Sequence, residues 1–162
     1  MTTIAYDGKV LAADSRATES DESAYTDRFT KLYRVNSKVP PIVGEVIMAA
    51  AGCEFAGQLF LEWLKKGGIP DLHTRGVEDD PEGGSPLDVL VVHKSGAYVA
   101  NHLGCFIKVR DKFWAHGTGR QGALCLLAEG KSAAYAVKAV SKFDNNTGGR
   151  VVSMSLKGKE RK

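Results

Sequence analysis

The stretch MTTIAYDGKVLAADSRAT, residues 1–18, decides the fold because it predicts a β-hairpin at the very start of the chain. Strand-forming residues occupy 2–6 and 9–13. Between them lies Asp7-Gly8, a dipeptide that tolerates the positive φ angles of a tight hairpin turn. The first residues of a domain usually fray, so a strand that begins at residue 2 predicts an N-terminus held in a sheet.

The patterns that follow predict an α+β fold. In chain order they are strands over 29–35 and 45–51, a helix over 53–66 ended by Gly67-Gly68, four strands within 87–117, helices over 120–128 and 132–143, and a strand over 148–156. Strands and helices do not alternate one by one, so we expect mostly antiparallel sheets with helices on their outer faces. Residues 68–86 have no apolar period and predict a long exposed loop.

Length and composition predict a single domain over 1–162 with a basic tail at about 157–162. A net charge of +3, with acids and bases interleaved, gives no basic face for nucleic acid. No run of residues is long and apolar enough to span a bilayer, and no signal peptide is recognisable, so we expect a cytoplasmic protein. Cys53, Cys105 and Cys125 lack metal-ligand spacing and predict buried, reduced thiols without a metal or cofactor.

The N-terminus could also carry chemistry. A small residue at position 2 normally permits removal of Met1, which would leave Thr2 with a free α-amine and a hydroxyl. Such an amine has a pKa of roughly 7.7–8.0, so a useful fraction can accept the hydroxyl proton near neutral pH. Taken alone, these residues indicate no more than a good strand former.

Five stretches together resemble the proteasome β-subunit and HslV-type peptidases, which are N-terminal threonine hydrolases of the Ntn fold, or a compact relative such as the Anbu group. They are TTI…VLAADSRAT, FTKLYRV, MAAAG, GTG and DNNTGG, and they occur in the family's order. The resemblance implies a four-layer αββα sandwich of two mostly antiparallel sheets.

The resemblance also implies roles for individual residues. Thr2 would be the nucleophile, and its amine would serve as its own base. Asp14 and Lys31 would form a buried ion pair that sets the electrostatics of that amine. Each also has a local structural interpretation, Asp14 as a turn residue and Lys31 as a solvated strand residue.

Further positions complete the implied site. Thr118, Asp144 and Thr147 would supply two hydroxyls and the acid that orients them beside the amine. The backbone N–H of Ala51, where the family commonly has glycine, would bind the oxyanion, and Ala49 would line the pocket for the residue before the scissile bond. Asp, Asn and Thr ahead of Gly-Gly also make an ordinary helix exit and turn.

The implied activity is that of a threonine endopeptidase that cleaves peptides or unfolded proteins through an acyl-enzyme, once Met1 is removed. Homo-oligomeric rings and an ATP-dependent unfoldase as partner are implied with it. Two alternatives stay open at this point. One is a catalytically inactive ring-forming structural or assembly protein of the same fold, and the other is an Ntn amidohydrolase acting on a small amide.

Overall fold

The computed structural model describes residues 2–18, 24–68, 87–101 and 104–156. Within these ranges the strands are β1 (Thr3–Tyr6), β2 (Val10–Ala13), β3 (Ala17–Thr18), β4 (Ala24–Thr26), β5 (Leu32–Ser37), β6 (Gly44–Gly52), β7 (Leu87–His93), β8 (Gly96–Asn101), β9 (Phe106–Lys108), β10 (Trp114–Gly117) and β11 (Val152–Ser155). The helices are α1 (Glu54–Lys66), α2 (Arg120–Ala128) and α3 (Ala133–Val140). The predictions of a loop over 68–86 and a basic tail over 157–162 fall, apart from Gly68, outside the described residues.

The strands form two main antiparallel sheets, as predicted. One has the order β10-β1-β2-β11 and the other the order β5-β6-β7-β8-β9, while β3 and β4 form a short ribbon. The hairpin strand β1 lies between β2 and β10, so its hydrogen bonds are made on both sides. The start of the chain is therefore held in the interior of a sheet.

The two sheets and three helices stack in four layers. Ile4, Leu11, Ile47 and Leu90 form part of the core between the sheets. On the outer face of the five-stranded sheet, α1 buries a second core that includes Phe60. Helices α2 and α3 cover the four-stranded sheet through a third, small-residue core of alanines and valines. The αββα prediction is confirmed.

Asp7 and Gly8 explain why the first hairpin closes where it does. The carboxylate of Asp7 accepts hydrogen bonds from the N–H groups of Lys9 and Val10 at 3.0 and 2.8 Å. Gly8 has a φ of +93°, and a Cβ there would lie 2.8 Å from the carbonyl oxygen of Lys112. Only glycine fits this turn, which spans Asp7 to Lys9 and so is one residue longer than predicted.

The prediction of buried cysteines is wrong. Cys53, Cys105 and Cys125 are free and exposed. Cys53 precedes the first turn of α1, Cys105 precedes the edge strand β9, and Cys125 lies on the solvent side of α2. Apolar neighbours in sequence did not reveal that these positions are at element ends or on an outer face. No helix in the described ranges is long and apolar enough to cross a membrane.

Candidate active site

Thr2 lies immediately before β1 and is 7% exposed. Its carbonyl oxygen accepts a hydrogen bond from the N–H of Thr118 at 3.0 Å, which ties it to the segment after β10. Gly117 makes this approach possible, because a Cβ at that position would lie 1.7 Å from the same carbonyl oxygen. The GTG stretch is thus shaped to receive the N-terminal strand.

Asp14 and Lys31 form a buried ion pair beside the start of β1. Asp14 follows β2, Lys31 precedes β5, and the Lys31 Nζ lies 2.8 Å from Asp14 Oδ1 with side-chain exposures of 3% and 0%. The Asp14 carboxylate also accepts hydrogen bonds from the N–H groups of Thr3, Arg16 and Gly148 at 2.9, 3.2 and 3.1 Å. These bonds satisfy a charge that would otherwise be costly to bury.

The ammonium of Lys31 is in a partly desolvated place. Burial lowers its pKa below the usual 10.5, and the opposing attraction of Asp14 limits that effect. A fixed cation at this position favours the neutral form of any nearby amine. The pair can therefore bias an N-terminal amine on Thr2 toward its basic form.

Asp144 gathers two hydroxyls at the turn between α3 and β11. Its Oδ2 accepts hydrogen bonds from Thr118 Oγ1 at 2.8 Å and from Thr147 Oγ1 at 2.5 Å. Partial burial raises the pKa of Asp144, but these hydroxyls and the N–H of Asn146 outweigh it and lower that pKa below its usual 3.8. The carboxylate therefore stays charged and holds both hydroxyl groups in place. The structure brings together all three residues for which the resemblance implied this role.

Thr3 is a member of the network that sequence reasoning missed. It is fully buried, its Oγ1 lies 2.5 Å from Thr147 Oγ1, and it accepts a hydrogen bond from the N–H of Gly119 at 3.1 Å. Successive strand residues face opposite sides of a sheet, so Thr3 points toward the helices when Thr2 points between the sheets. That alternation could have identified Thr3 from the sequence.

A cavity of about 160 Å³ opens beside Thr2 and Lys31. We call it the first cleft, and it is bounded by Thr2, Lys31, Tyr33, Ala50, Gly52 and Gln58 among others. Lys31 of the buried ion pair lines this cleft, together with residues at the end of β6 and in the first turns of α1.

The expectation for Ala49 needs correction. Ala49 is fully buried in the core between the sheets, on the same face of β6 as Ile47. Among the described residues, the strand β6 contributes Ala50, Ala51 and Gly52 to the first cleft. Because side chains alternate along a strand, the residue that faces the cleft from the α1 side is Ala50.

The expectation for Ala51 also changes. The N–H of Ala50 donates to the carbonyl oxygen of Lys31, so Ala50 is directed toward β5. Successive N–H groups of a strand point to opposite sides, which directs Ala51 toward β7, where it lies opposite Asp88. By the same alternation, the N–H of Gly52 is directed toward the β5 side. It lies beyond the point where β5 begins, at Leu32. Gly52, with a φ of +109°, is therefore the better candidate donor.

The fold is the four-layer sandwich found in proteasome-type and HslV-type proteins. The chain is similar to BPH, a bacterial proteasome homologue from Thiobacillus denitrificans, with a TM-score of 0.71 and 17% identity over 95% of this chain and 97% of that one. BPH in complex with epoxomicin gives a TM-score of 0.68 at 18% identity, covering 96% and 100%.

Two further solved structures have the same fold. HslV from Trypanosoma brucei gives a TM-score of 0.64 at 15% identity over 96% of this chain and 99% of that one. An Anbu Gly-1 mutant from Hyphomicrobium sp. strain MC1 gives 0.66 at 12% identity, covering 96% and 81%. Neither a family model nor a curated protein matches the chain at the level of sequence. The resemblance stated from the sequence is confirmed for the fold.

Proposed function

We propose that this protein is a threonine endopeptidase that cleaves peptide bonds through an acyl-enzyme formed on Thr2. The observation that carries the proposal is the buried pair of Asp14 and Lys31, 2.8 Å apart, at the start of β1, where Thr2 and Lys31 line a cleft. A fold alone does not imply a function, but buried charges at a cleft are a costly feature that catalysis explains.

The proposed reaction uses both functional groups of Thr2. With Met1 removed, the free α-amine accepts the proton of Oγ1, and Oγ1 attacks the peptide carbonyl carbon to give a tetrahedral oxyanion. Collapse of this intermediate breaks the C–N bond, and the protonated amine returns the proton to the leaving amine. Water then attacks the resulting ester, which releases the acid and restores Thr2.

The charged neighbours of Thr2 set the protonation of its amine. Lys31 lowers the affinity of that amine for a proton, while Asp14 keeps Lys31 charged. The Thr118 hydroxyl donates its proton to Asp144, so its oxygen would accept a hydrogen bond from the amine. The Thr147 hydroxyl donates to the same carboxylate and lies against Thr3 Oγ1, so it would hold Asp144 in place. A general base of this kind typically contributes about 10²–10⁴-fold to the rate.

Gly52 is our candidate for the oxyanion donor, and a substitution there tests it. Alanine adopts a φ of +109° only at a cost of about 1–2 kcal/mol, so in Gly52→Ala the peptide should rotate and move its N–H. We expect kcat to fall about 10²-fold, as for loss of one oxyanion donor. Steady-state hydrolysis of a fluorogenic peptide measures this.

The matched control for Gly52→Ala is Gly130→Ala at the end of α2. Gly130 has a φ of +79°, and a Cβ there would meet no atom within 4 Å, so the backbone cost is similar but remote from Thr2. This control should lose stability without losing kcat. Equal kcat values for the two variants would remove Gly52 from the mechanism.

The proposal is tested by mass spectrometry of the protein from its native host, before and after treatment with an epoxyketone. These inhibitors react with both the amine and the hydroxyl of an N-terminal threonine. We expect a mass that lacks Met1 and, after treatment, one inhibitor added at Thr2 with loss of peptidase activity. Failure to form this adduct on a protein that begins at Thr2 would contradict the proposal.

The same experiment separates the two alternatives. A chain that keeps Met1 throughout, forms no adduct and cleaves no peptide would support an inactive ring-forming structural or assembly protein. A chain that begins at Thr2 and hydrolyses small amides but no peptides would support an Ntn amidohydrolase. Each outcome is visible in a panel of fluorogenic peptides and small amides.

We further propose that the protein works in the cytoplasm as a homo-oligomeric ring or stacked rings fed by an ATP-dependent unfoldase. Support comes from the likeness in fold to HslV and to a bacterial proteasome homologue. Unfolded proteins and peptides would be its substrates.

A further inference from the structure

A second cavity lies on the other side of Thr2. It has a volume of about 530 Å³ and shares only Thr2, Ala51 and Gly52 with the first cleft. We call it the second cleft, and its remaining walls are Asp88, His116, Gly117, Thr118 and Arg120. Thr2 therefore borders two spaces, and the mechanism proposed above assigns no part of the substrate to the second of them.

A hydrogen-bonded pair of His116 and Asp88 lines one wall of the second cleft. His116 Nε2 lies 3.1 Å from Asp88 Oδ2, with side-chain exposures of 29% and 31%. The imidazole also stacks on Trp114, with ring centroids 5.4 Å apart and ring planes at 5°. Burial and, to a lesser degree, the charge of Arg120 lower the pKa of His116, while Asp88 opposes this. The His116 ring is thus held in place by Trp114 and Asp88, and it is hydrogen-bonded to one carboxylate oxygen of Asp88.

Arg120 supplies the charge that faces the opening. It is exposed at the first position of α2 and makes no ion pair with any residue in the described ranges. Asp88 is the acidic residue in the described wall of the second cleft, and His116 already engages it. The N–H groups of the Arg120 guanidinium are therefore available to bind a ligand in this cleft. The planar guanidinium can donate two parallel hydrogen bonds to a carboxylate.

The position of Thr2 between the clefts gives the second one a role. A peptide cleaved at Thr2 must place its acyl part on one side of the hydroxyl and its leaving part on the other. The first cleft holds Lys31 and the Ala50 wall, which suit the acyl part. The leaving part then extends past Thr118 toward Arg120.

We propose that the second cleft binds a carboxylate of the leaving segment through the Arg120 guanidinium, so that the enzyme favours an acidic residue or a free chain end just after the scissile bond. This inference rests on the proposed function, because a leaving segment exists only if Thr2 attacks a peptide bond. Asp88 and His116, bonded to each other, line the same cleft as Arg120.

Binding to the uncleaving Thr2→Ala variant tests this inference without requiring turnover. We use labelled peptides, amidated at the C-terminus, in which every third position is Glu, Gln or Lys, so that one of these residues lies beyond Thr2 in any register. By fluorescence anisotropy the Glu peptide should bind about threefold to fivefold more tightly than the Gln peptide, the size expected of one exposed charge pair. The preference should shrink as salt is raised.

Two further variants in the Thr2→Ala background assign the preference. Arg120→Gln should reduce the ratio of Glu to Gln affinities to about one, while Arg110→Gln, another exposed arginine outside both clefts, should keep it. A Gln peptide with a free C-terminus, compared with its amide, separates a terminal carboxylate from an acidic side chain as the source.

The outcomes are distinct from those that test the peptidase proposal. Tightest binding of the Lys peptide, equal binding of all peptides, or a Glu preference that survives Arg120→Gln would overturn the carboxylate site. Cleavage of the Gln peptide by the wild-type protein reports separately on the peptidase. A Glu preference that depends on Arg120, found with no cleavage of any peptide, would contradict the peptidase and leave the carboxylate site in place.

Discussion

The Thr2→Ala variant is expected to fold normally and to show no peptide hydrolysis above background. The substitution removes Oγ1 but keeps the backbone carbonyl that accepts from Thr118, so β1 should stay in its sheet. Loss of the nucleophile in a hydrolase of this chemical type costs on the order of 10⁶-fold in kcat. Turnover of a fluorogenic peptide panel, with circular dichroism and gel filtration of the same samples, measures both halves of the prediction.

Thr2→Ser is the matched control for the nucleophile. Serine keeps an α-amine and a hydroxyl on adjacent carbon atoms, so this variant should retain substantial activity and react with an epoxyketone. Hydrolysis by Thr2→Ala at the wild-type rate would rule out the proposed mechanism. Loss of activity in Thr2→Ser together with altered gel filtration would instead point to a packing role for the Thr2 methyl group.

Much of the fold could be predicted because short local patterns determine it. The Asp7-Gly8 turn is specified by a carboxylate that binds two following N–H groups and by a glycine with no room for a Cβ. Ser132 begins the helix predicted over 132–143 in the same local way, because its Oγ accepts a hydrogen bond from the N–H of Tyr135 at 3.3 Å. Such signals act over three or four residues and need no knowledge of the tertiary structure.

The contacts within the site were accessible from the sequence only through the resemblance. Asp14 and Lys31 are 17 residues apart, and Thr118 and Asp144 are 26 apart. No periodicity joins such distant residues, since their proximity depends on how two sheets stack. A pattern of five stretches in a known order carried that information, and the structure brings these pairs within hydrogen-bonding distance.

The end of β6 could not be predicted to the residue, and the reason is physical. A shift of one residue along a strand exchanges its two faces and reverses its N–H directions. The run AAAG places three identical side chains before Gly52, so nothing in composition shows which alanine faces the cleft. The pairing of Ala50 with Lys31 resolves the register, moving the expected pocket residue to Ala50 and the expected donor to Gly52.

Lys31→Met is expected to be the most destabilising of the substitutions considered and to be inactive. It leaves the Asp14 carboxylate, whose side chain is 0% exposed, without its cationic partner. Breaking a buried pair in this way costs about 3–5 kcal/mol in the free energy of unfolding. Lys66→Met, at an exposed lysine whose side chain is 76% accessible, is the control and should change stability by less than about 0.5 kcal/mol.

The double variant Asp14→Asn/Lys31→Met separates catalysis from stability. Removing both charges eliminates the unpaired carboxylate, so the loss of unfolding free energy should be smaller than the sum of the two single losses, with a coupling of about 1–3 kcal/mol. Activity should not return, because no cation then favours the neutral amine of Thr2. Urea denaturation of the four proteins gives the cycle, and peptide turnover gives the activity. A double variant that regains both stability and turnover would show that the pair serves the fold alone.

In the wild-type protein, activity should fall as pH rises through the lowered pKa of Lys31, because the ammonium loses its charge there.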